Sequence, residues 1–498
     1  MFERLLDGVQ VAAVVCNQWG DTGKGKVVDL LAKHFDLIVR GQGGNNAGHT
    51  VVAGNQELKL HVVPSGIIFD KEGKINVVGS GVAFNPLSFQ EELEKLEAAG
   101  LSYDNLKISH QAKLILPQHL LLDRIREARK GKGKIGTTGR GIGPVYGDHT
   151  LRLGLTVNDM LNKEVFTKKL EKNLAEKLLV LRHDDPELIK EIMQHQHLGK
   201  GKFHDVDNIF NISTIVETYM DLGKRFKPYI ADTDKLVRQA LGEGKKILLE
   251  GAQGLLLSVD YGLHPFVTSS DASYRGLAKG AGLRDGDVNL VIGIAKAFYM
   301  TRVGAGPFPT EFGGEHSAGW CNNSNVTFTI EKQLYPNVSL NDSDGFEKGI
   351  AVRYAGREYG TTTGRPRRCG RFDLPLLRYA KEINGEVVAL TKLDVLDQAE
   401  EIQICTNYKY TGVEYHVGGR VLRNGDIITT AIPDNEVLQH CQPLYKTFPG
   451  WKSDTTKITE FSALPLAMKE IITYVEKEAG VKVKIVSVGP DRGQTIVV

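Results

Sequence analysis
The stretch Asn17-Gln18-Trp19-Gly20-Asp21-Thr22-Gly23-Lys24-Gly25-Lys26 constrains the fold of this 498-residue chain more than any other. It follows an apolar run over residues 9–16 that predicts a buried strand. It leads into Val27-Val28-Asp29-Leu30-Leu31-Ala32, whose spacing predicts a helix. Strand, glycine turn and helix aim free backbone N–H groups and a positive helix end at an anion. Gly20, Gly23 and Gly25 let the backbone approach that anion, and Lys24 adds a mobile charge. The stretch departs from the standard phosphate-loop pattern, which wants glycine at position 18 and Ser or Thr after the lysine; Gln18 and Gly25 stand there. Asp21 is also an acid inside a loop built for anions, which points to a metal ion or a proton-transfer role.

Other polar motifs follow apolar runs in the same way. Residues 37–39 predict a strand before the turn 41–50, which ends in His49 and Thr50. Residues 136–144, with Thr137, Thr138 and Arg140, combine hydroxyls, amides and a guanidinium suited to a phosphate monoester. The adjoining run from Lys130 to Lys134 reads as a solvated arm, and His195 and His197 as an exposed pair. Residues 245–250 predict a strand ending in Gly251-Ala252-Gln253-Gly254, and residues 288–294 one leading to Thr301-Arg302-Val303. Gly360-Thr361-Thr362-Thr363-Gly364-Arg365-Pro366-Arg367-Arg368 reads as an anion loop, its arginine forks matching carboxylate or phosphate. Thr391-Lys392-Leu393-Asp394 closes a strand and matches the T/N-K-x-D guanine reader of GTPases. The last strand, 483–486, ends in Ser487-Val488-Gly489-Pro490-Asp491-Arg492.

Motifs at the ends of successive strands predict an α/β chain. We read it as one large domain over residues 1–498 on a mostly parallel central sheet, P-loop-NTPase-like, with ligands at the strands' carboxyl ends. A helical subregion is predicted at about 155–240. An insertion or flap with a few β-like stretches is predicted at about 312–359. The net charge of +2 gives no reason to expect nucleic acid or membrane as a partner. The five scattered cysteines fit reduced thiols in the cytoplasm. No apolar run reaches the ~18–20 residues of a membrane span.

In this order, the motifs resemble those of the adenylosuccinate synthetase family. The resemblance rests on residues 17–26, 41–50, 136–146, 250–270, 301–311, 360–368, 391–396, 449–451 and 487–492. It implies GTP-dependent ligation of L-aspartate to IMP through 6-phosphoryl-IMP, with Mg²⁺. Asp21 would be the general base and His49 the acid partner, with Lys24 and Gln253 completing the catalytic set. GTP would meet Gly20, Gly23, Lys24, Gly25 and Lys26 at its phosphates, and Lys392, Asp394, Ser487, Gly489 and Pro490 at guanine. IMP would meet Asp21, Asn46, Thr138, Gln253, Thr268, Val303 and Arg365, with Arg152 donated across a homodimer. Aspartate would meet Thr361, Thr362, Thr363, Arg365 and Arg367; Mg²⁺ would meet Asp21 and the Gly48 carbonyl. Thr22, Asn45, Ser258 and Pro366 depart from the family pattern. Two alternatives are the same ligation on a 2-aminopurine nucleotide and a GTP-binding regulatory protein.

Overall fold
The computed structural model describes residues 2–53, 56–131, 135–181, 186–195, 203, 205–323, 325–360 and 364–498. Lys132, Lys134, His197 and the whole Thr361-Thr362-Thr363 run lie outside them.

Val11–Cys16 forms strand β1 at the middle of the sheet, and Lys24–Ala32 forms helix α1 directly after the glycine loop. Every residue of β1 is buried because both faces of the sheet are covered. Val11, Ala13 and Val15 pack with Val237, Leu277 and Ala278 on one side. Ala12 and Val14 pack with Val27, Val28 and Leu31 of α1 on the other. The period-two alternation of a strand thus sends an unbroken apolar run to two cores, as parallel sheets require.

The sheet grows outward from β1 in two directions. From α1 the chain enters strand β2, Leu37–Gly44, and continues through Ile75–Phe84, Leu106–Ser109 and Ile230–Ala231. Ile247–Glu250 then returns to lie between β1 and β2. Leu290–Lys296, Val387–Thr391 and Lys482–Ser487 extend the other side. All these pairings are parallel; Thr495–Val497 alone runs antiparallel, at the edge. β1 therefore sits where the direction of growth reverses, the position at which open α/β sheets hold ligands beyond their carboxyl ends.

Two regions elaborate this frame. The described residues between about 155 and 240 include helices Lys163–Leu181, Ile212–Phe226 and Thr233–Gly242, and Phe166, Leu170, Ile215 and Tyr219 close a core over Ile75–Phe84 and Pro117–Arg129. Residues 312–359 correct the β-like expectation. They form helices Gly314–Asn322, Phe328–Leu334 and Gly345–Gly356, with no strand among the described residues. The buried Arg353 clamps Glu331 through Nε at 3.0 Å and Nη2 at 2.6 Å, joining two of these helices. Tyr359 Oη donates to the same Glu331 at 2.5 Å, immediately before the anion loop.

Candidate active site
The glycine loop leaves β1 through Gln18, and the structure explains why glycine is absent there. Gln18 Oε1 accepts from the Lys296 N–H at 3.0 Å, while its Nε2 donates to the Lys296 carbonyl at 3.3 Å. This reciprocal pair ties the loop to the end of the neighbouring strand. Gly254 must be glycine for a different reason: a Cβ would lie 2.2 Å from the Gln18 carbonyl and 2.4 Å from the Gly20 nitrogen.

Asp21 stands at the loop tip in left-handed backbone, φ 51°, a conformation that costs energy for a non-glycine residue. Its carboxylate is 38% exposed and faces Arg367 Nε at 3.0 Å. Burial pushes its pKa up, but Arg367, Lys296 and Lys24 together hold it below the ordinary value. Lys24 Nζ donates to the Gln253 carbonyl at 2.7 Å, which joins the phosphate-loop lysine to the 251–254 turn. Gln253 also has a left-handed φ of 54°, and its Nε2 donates to Asn46 Oδ1 at 3.0 Å. Val303 lies against Gly20, within 3.9 Å of a Cβ built there. The Ala305 N–H donates to the Ile135 carbonyl at 3.2 Å, bringing the 136–138 turn beside Val303. A Cβ on Gly143 would reach Ser269 Oγ at 3.5 Å, so the Thr268 turn flanks the same rim. Asp21, Asn46, Gln253, Val303 and the turns carrying Thr138 and Thr268 thus come together as one group beyond the carboxyl end of β1.

His49 is buried at its back. His49 Nδ1 contacts Glu250 Oε1, which also accepts from Arg40 Nη1 at 3.2 Å and Ser65 Oγ at 2.7 Å. Burial and the Arg40 charge push the His49 pKa down to about 4, against the opposing pull of Glu250. The imidazole is therefore neutral, with its Nδ1–H donated to an ionised Glu250. Gly48, next to it, is exposed. Among the described residues no three His, Cys, Asp or Glu side chains gather as a metal cage. A lone Asp21 carboxylate suits Mg²⁺, which is usually held by one or two carboxylates and completed by substrate phosphates and water.

A second group of residues lies at the ends of Val387–Thr391 and Lys482–Ser487. Thr391 Oγ1 donates to the Thr22 carbonyl at 2.8 Å, so the glycine loop packs directly on the Thr-Lys-Leu-Asp turn. Lys26 departs from a simple phosphate role: its Nζ donates to Ser487 Oγ at 2.8 Å and to the Gly489 carbonyl at 2.6 Å. Burial pulls its pKa down to about 8. Asp394 Oδ1 is buried without a hydrogen-bond partner among the described residues, which fits a carboxylate waiting for ligand donors. Lys392, with φ 62°, donates to the Gly356 carbonyl at 2.7 Å and Glu358 Oε1 at 2.8 Å. Pro490 is exposed at the edge of this group.

Around the arginine loop, Arg365 is exposed and its carbonyl accepts from the Gly360 N–H at 2.8 Å, while the threonines fall outside the described residues. Arg152 follows helix Ile142–Thr150 with φ 65° and is exposed, next to a 64% exposed Leu151. Sequence reasoning missed Arg40, Lys296 and Glu358, and read Glu250 only as a strand end. The available signal was a charged residue inside or ending an apolar strand, as in Leu-Ile-Val-Arg40, Gly-Ile-Ala-Lys296 and Ile-Leu-Leu-Glu250.

A glycine loop with an embedded acid, packed on a Thr-Lys-Leu-Asp turn and facing an arginine loop, suits a nucleotide-driven ligase. The adenylosuccinate synthetase family model matches residues 13–496. The adenylosuccinate synthetase of Caldicellulosiruptor bescii is 42% identical over 490 residues, covering 98% of this chain and 99% of its own. That of Heliobacterium modesticaldum is 42% identical, covering 97% of both chains. The fully ligated enzyme from Plasmodium falciparum superposes with a TM-score of 0.78 at 32% identity, covering 98% of this chain and 100% of its own. A cyanophage S-2L succinoaminodeoxyadenylate synthetase shares the fold, with a TM-score of 0.52 at 16% identity. The chain belongs to the adenylosuccinate synthetase family. Its activity is GTP-dependent ligation of aspartate to IMP, and the variant-purine and regulatory alternatives are not favoured. Among the described residues no helix is long and apolar enough to cross a membrane.

Proposed function
We propose that this ligation is divided among the residues as follows. Asp21 takes the N1 proton of IMP, so that O6 attacks the γ-phosphorus of GTP in line with the departing GDP oxygen. Arg367, Lys296 and Lys24 favour the carboxylate form that this step needs. His49 is neutral in the free protein, but an anionic phosphoryl group beside its outer nitrogen would favour imidazolium. It then donates to that group while Glu250 steadies the opposite nitrogen. Asp21 and the Gly48 carbonyl would hold Mg²⁺, which supplies positive charge opposite the phosphates. The aspartate amine next attacks C6, and the C6–O6 bond breaks so that O6 leaves within inorganic phosphate.

Lys24 and the amides of Gly20, Gly23 and Gly25 cradle the β- and γ-phosphates. Lys26 supports that cradle from the Ser487–Gly489 side. The orphaned Asp394 oxygen accepts from guanine, with Lys392, Ser487, Gly489 and Pro490 around the base. Asn46, Thr138, Gln253, Thr268, Val303 and Arg365 hold IMP. Thr361, Thr362, Thr363, Arg365 and Arg367 hold aspartate. We further propose a cytoplasmic homodimer in which the exposed Arg152 reaches the IMP phosphate of a second copy.

The Asp21–Arg367 ion pair carries this reading, because it sets the proton acceptor beside the arginine loop. Turnover of [6-¹⁸O]IMP with GTP, Mg²⁺ and aspartate should deliver the label to inorganic phosphate. Label released as water instead of in inorganic phosphate would refute the phosphorylated intermediate.

A further inference from the structure
Glu358, just past helix Gly345–Gly356, is fully buried and has four side-chain partners from three stretches of the chain. Its Oε1 lies 2.8 Å from Lys296 Nζ, 2.8 Å from Lys392 Nζ and 2.7 Å from Tyr299 Oη. Its Oε2 accepts from Arg367 Nη1 at 2.7 Å. The backbone is fixed as well: the Glu358 N–H donates to the Arg353 carbonyl and its carbonyl accepts from the Arg367 N–H, both at 2.9 Å. Lys296 donates onward to Thr301 Oγ1 at 2.6 Å. Three cations on one carboxylate hold it ionised well below the ordinary range, despite burial.

The two oxygens face different substrates in the division of residues proposed above. Oε1 fixes Lys392 of the guanine turn, and Oε2 fixes Arg367, which meets aspartate and Asp21. We infer that Glu358 is a positioning residue that couples the two, so that seating the base of GTP and seating aspartate reinforce each other through one buried carboxylate. A shift of either cation changes the charge and room left on the shared carboxylate for the other, and a low-dielectric site transmits that change strongly. No contact between GTP and aspartate is needed. The inference rests on the proposed roles of Lys392 and Arg367, and the experiment separates the two.

KM for each substrate is measured for the full chain and for Lys392→Met, Arg367→Leu, Glu358→Gln and Glu358→Asp. Lys392→Met raising KM for GTP and Arg367→Leu raising KM for aspartate are the direct effects; the absence of either overturns the underlying roles. The coupling predicts a crossed effect: Lys392→Met also raises KM for aspartate, by about tenfold for the loss of one charged hydrogen bond. In the Glu358→Gln background the same lysine substitution leaves KM for aspartate unchanged. Glu358→Gln itself raises KM for GTP and aspartate together, with KM for IMP unmoved, a split that general loosening of the fold would not give. If the Gln variant does not fold, Glu358→Asp takes its place, keeping the charge but too short to reach both cations. Direct effects without the crossed effect, or wild-type KM values in Glu358→Asp, overturn the coupling.

Discussion

Replacing Glu250 by Gln tests how His49 acquires its acid role. The carboxylate touches His49 and favours imidazolium, while burial, Arg40 and Lys24 oppose it. At an effective dielectric of about 20, a charge pair near 4 Å is worth on the order of 4 kcal/mol. That is about three pK units, enough to place imidazolium out of reach even with the phosphates bound. Gln keeps the size and one acceptor, so the shape of the cleft is retained. We expect kcat to fall at least about 10²-fold, the lower end for general acid catalysis. KM for IMP should stay within about threefold, since no IMP contact is lost. The buried Arg40 loses its counterion, which costs stability by about 3–5 kcal/mol, so turnover is read well below the melting transition. The assay is kcat at saturating substrates from pH 6 to 9, paired with NMR titration of His49. Wild-type kcat together with an unmoved His49 titration would refute the reasoning.

Three other outcomes follow from contacts described above. Asp21→Asn should abolish product formation while GTP still binds, as read by nucleotide titration; near-normal turnover would remove Asp21 from the base role. Arg365→Leu should mainly raise KM for aspartate, by about tenfold or more for a lost charged contact, and an unchanged KM would take it out of that subsite. Asp373, buried as the N-cap of Leu374–Asn384, accepts from Tyr408 Oη at 2.6 Å, and burial pushes its pKa up to about 7 from 3.8. The folded state then keeps a proton that the unfolded chain has released, so this contribution to stability is lost as pH rises from about 4 to 7. Asp373→Asn keeps the cap and should flatten that slope in denaturant unfolding; an unchanged slope would assign it to another group.

The glycine loop, the strand ends and the Thr-Lys-Leu-Asp turn were legible as local structure because their signals are local: an apolar run, a glycine and a polar residue at fixed spacing. Helix Gly345–Gly356 was not. Its Gly349, Ile350 and Val352 read against a helix by propensity, yet it is held by burial and by the Arg353–Glu331 clamp, a partner 22 residues away. Helix Ile142–Thr150 was hidden likewise by Gly143, Pro144 and Gly147. Asp21, Gln253 and Lys392 could be picked out by motif, but their left-handed backbones, with φ of 51°, 54° and 62°, could not. Lys26 shows the limit most plainly. Sequence position showed the lysine, but not that its ammonium donates to Ser487 and Gly489 near the other end of the chain.

That last contact has a consequence for how the protein is made. Lys26 and Gly489 are 463 positions apart, and Arg492 holds Asp29 of α1 at 2.5 Å across the same gap. A ribosome at ~5–20 residues per second needs roughly half a minute or more to bring these segments together. Until then the glycine loop lacks the Lys26 anchor at Ser487 and Gly489. The early strands must therefore survive on their own apolar packing until the last strand of the sheet has been synthesised.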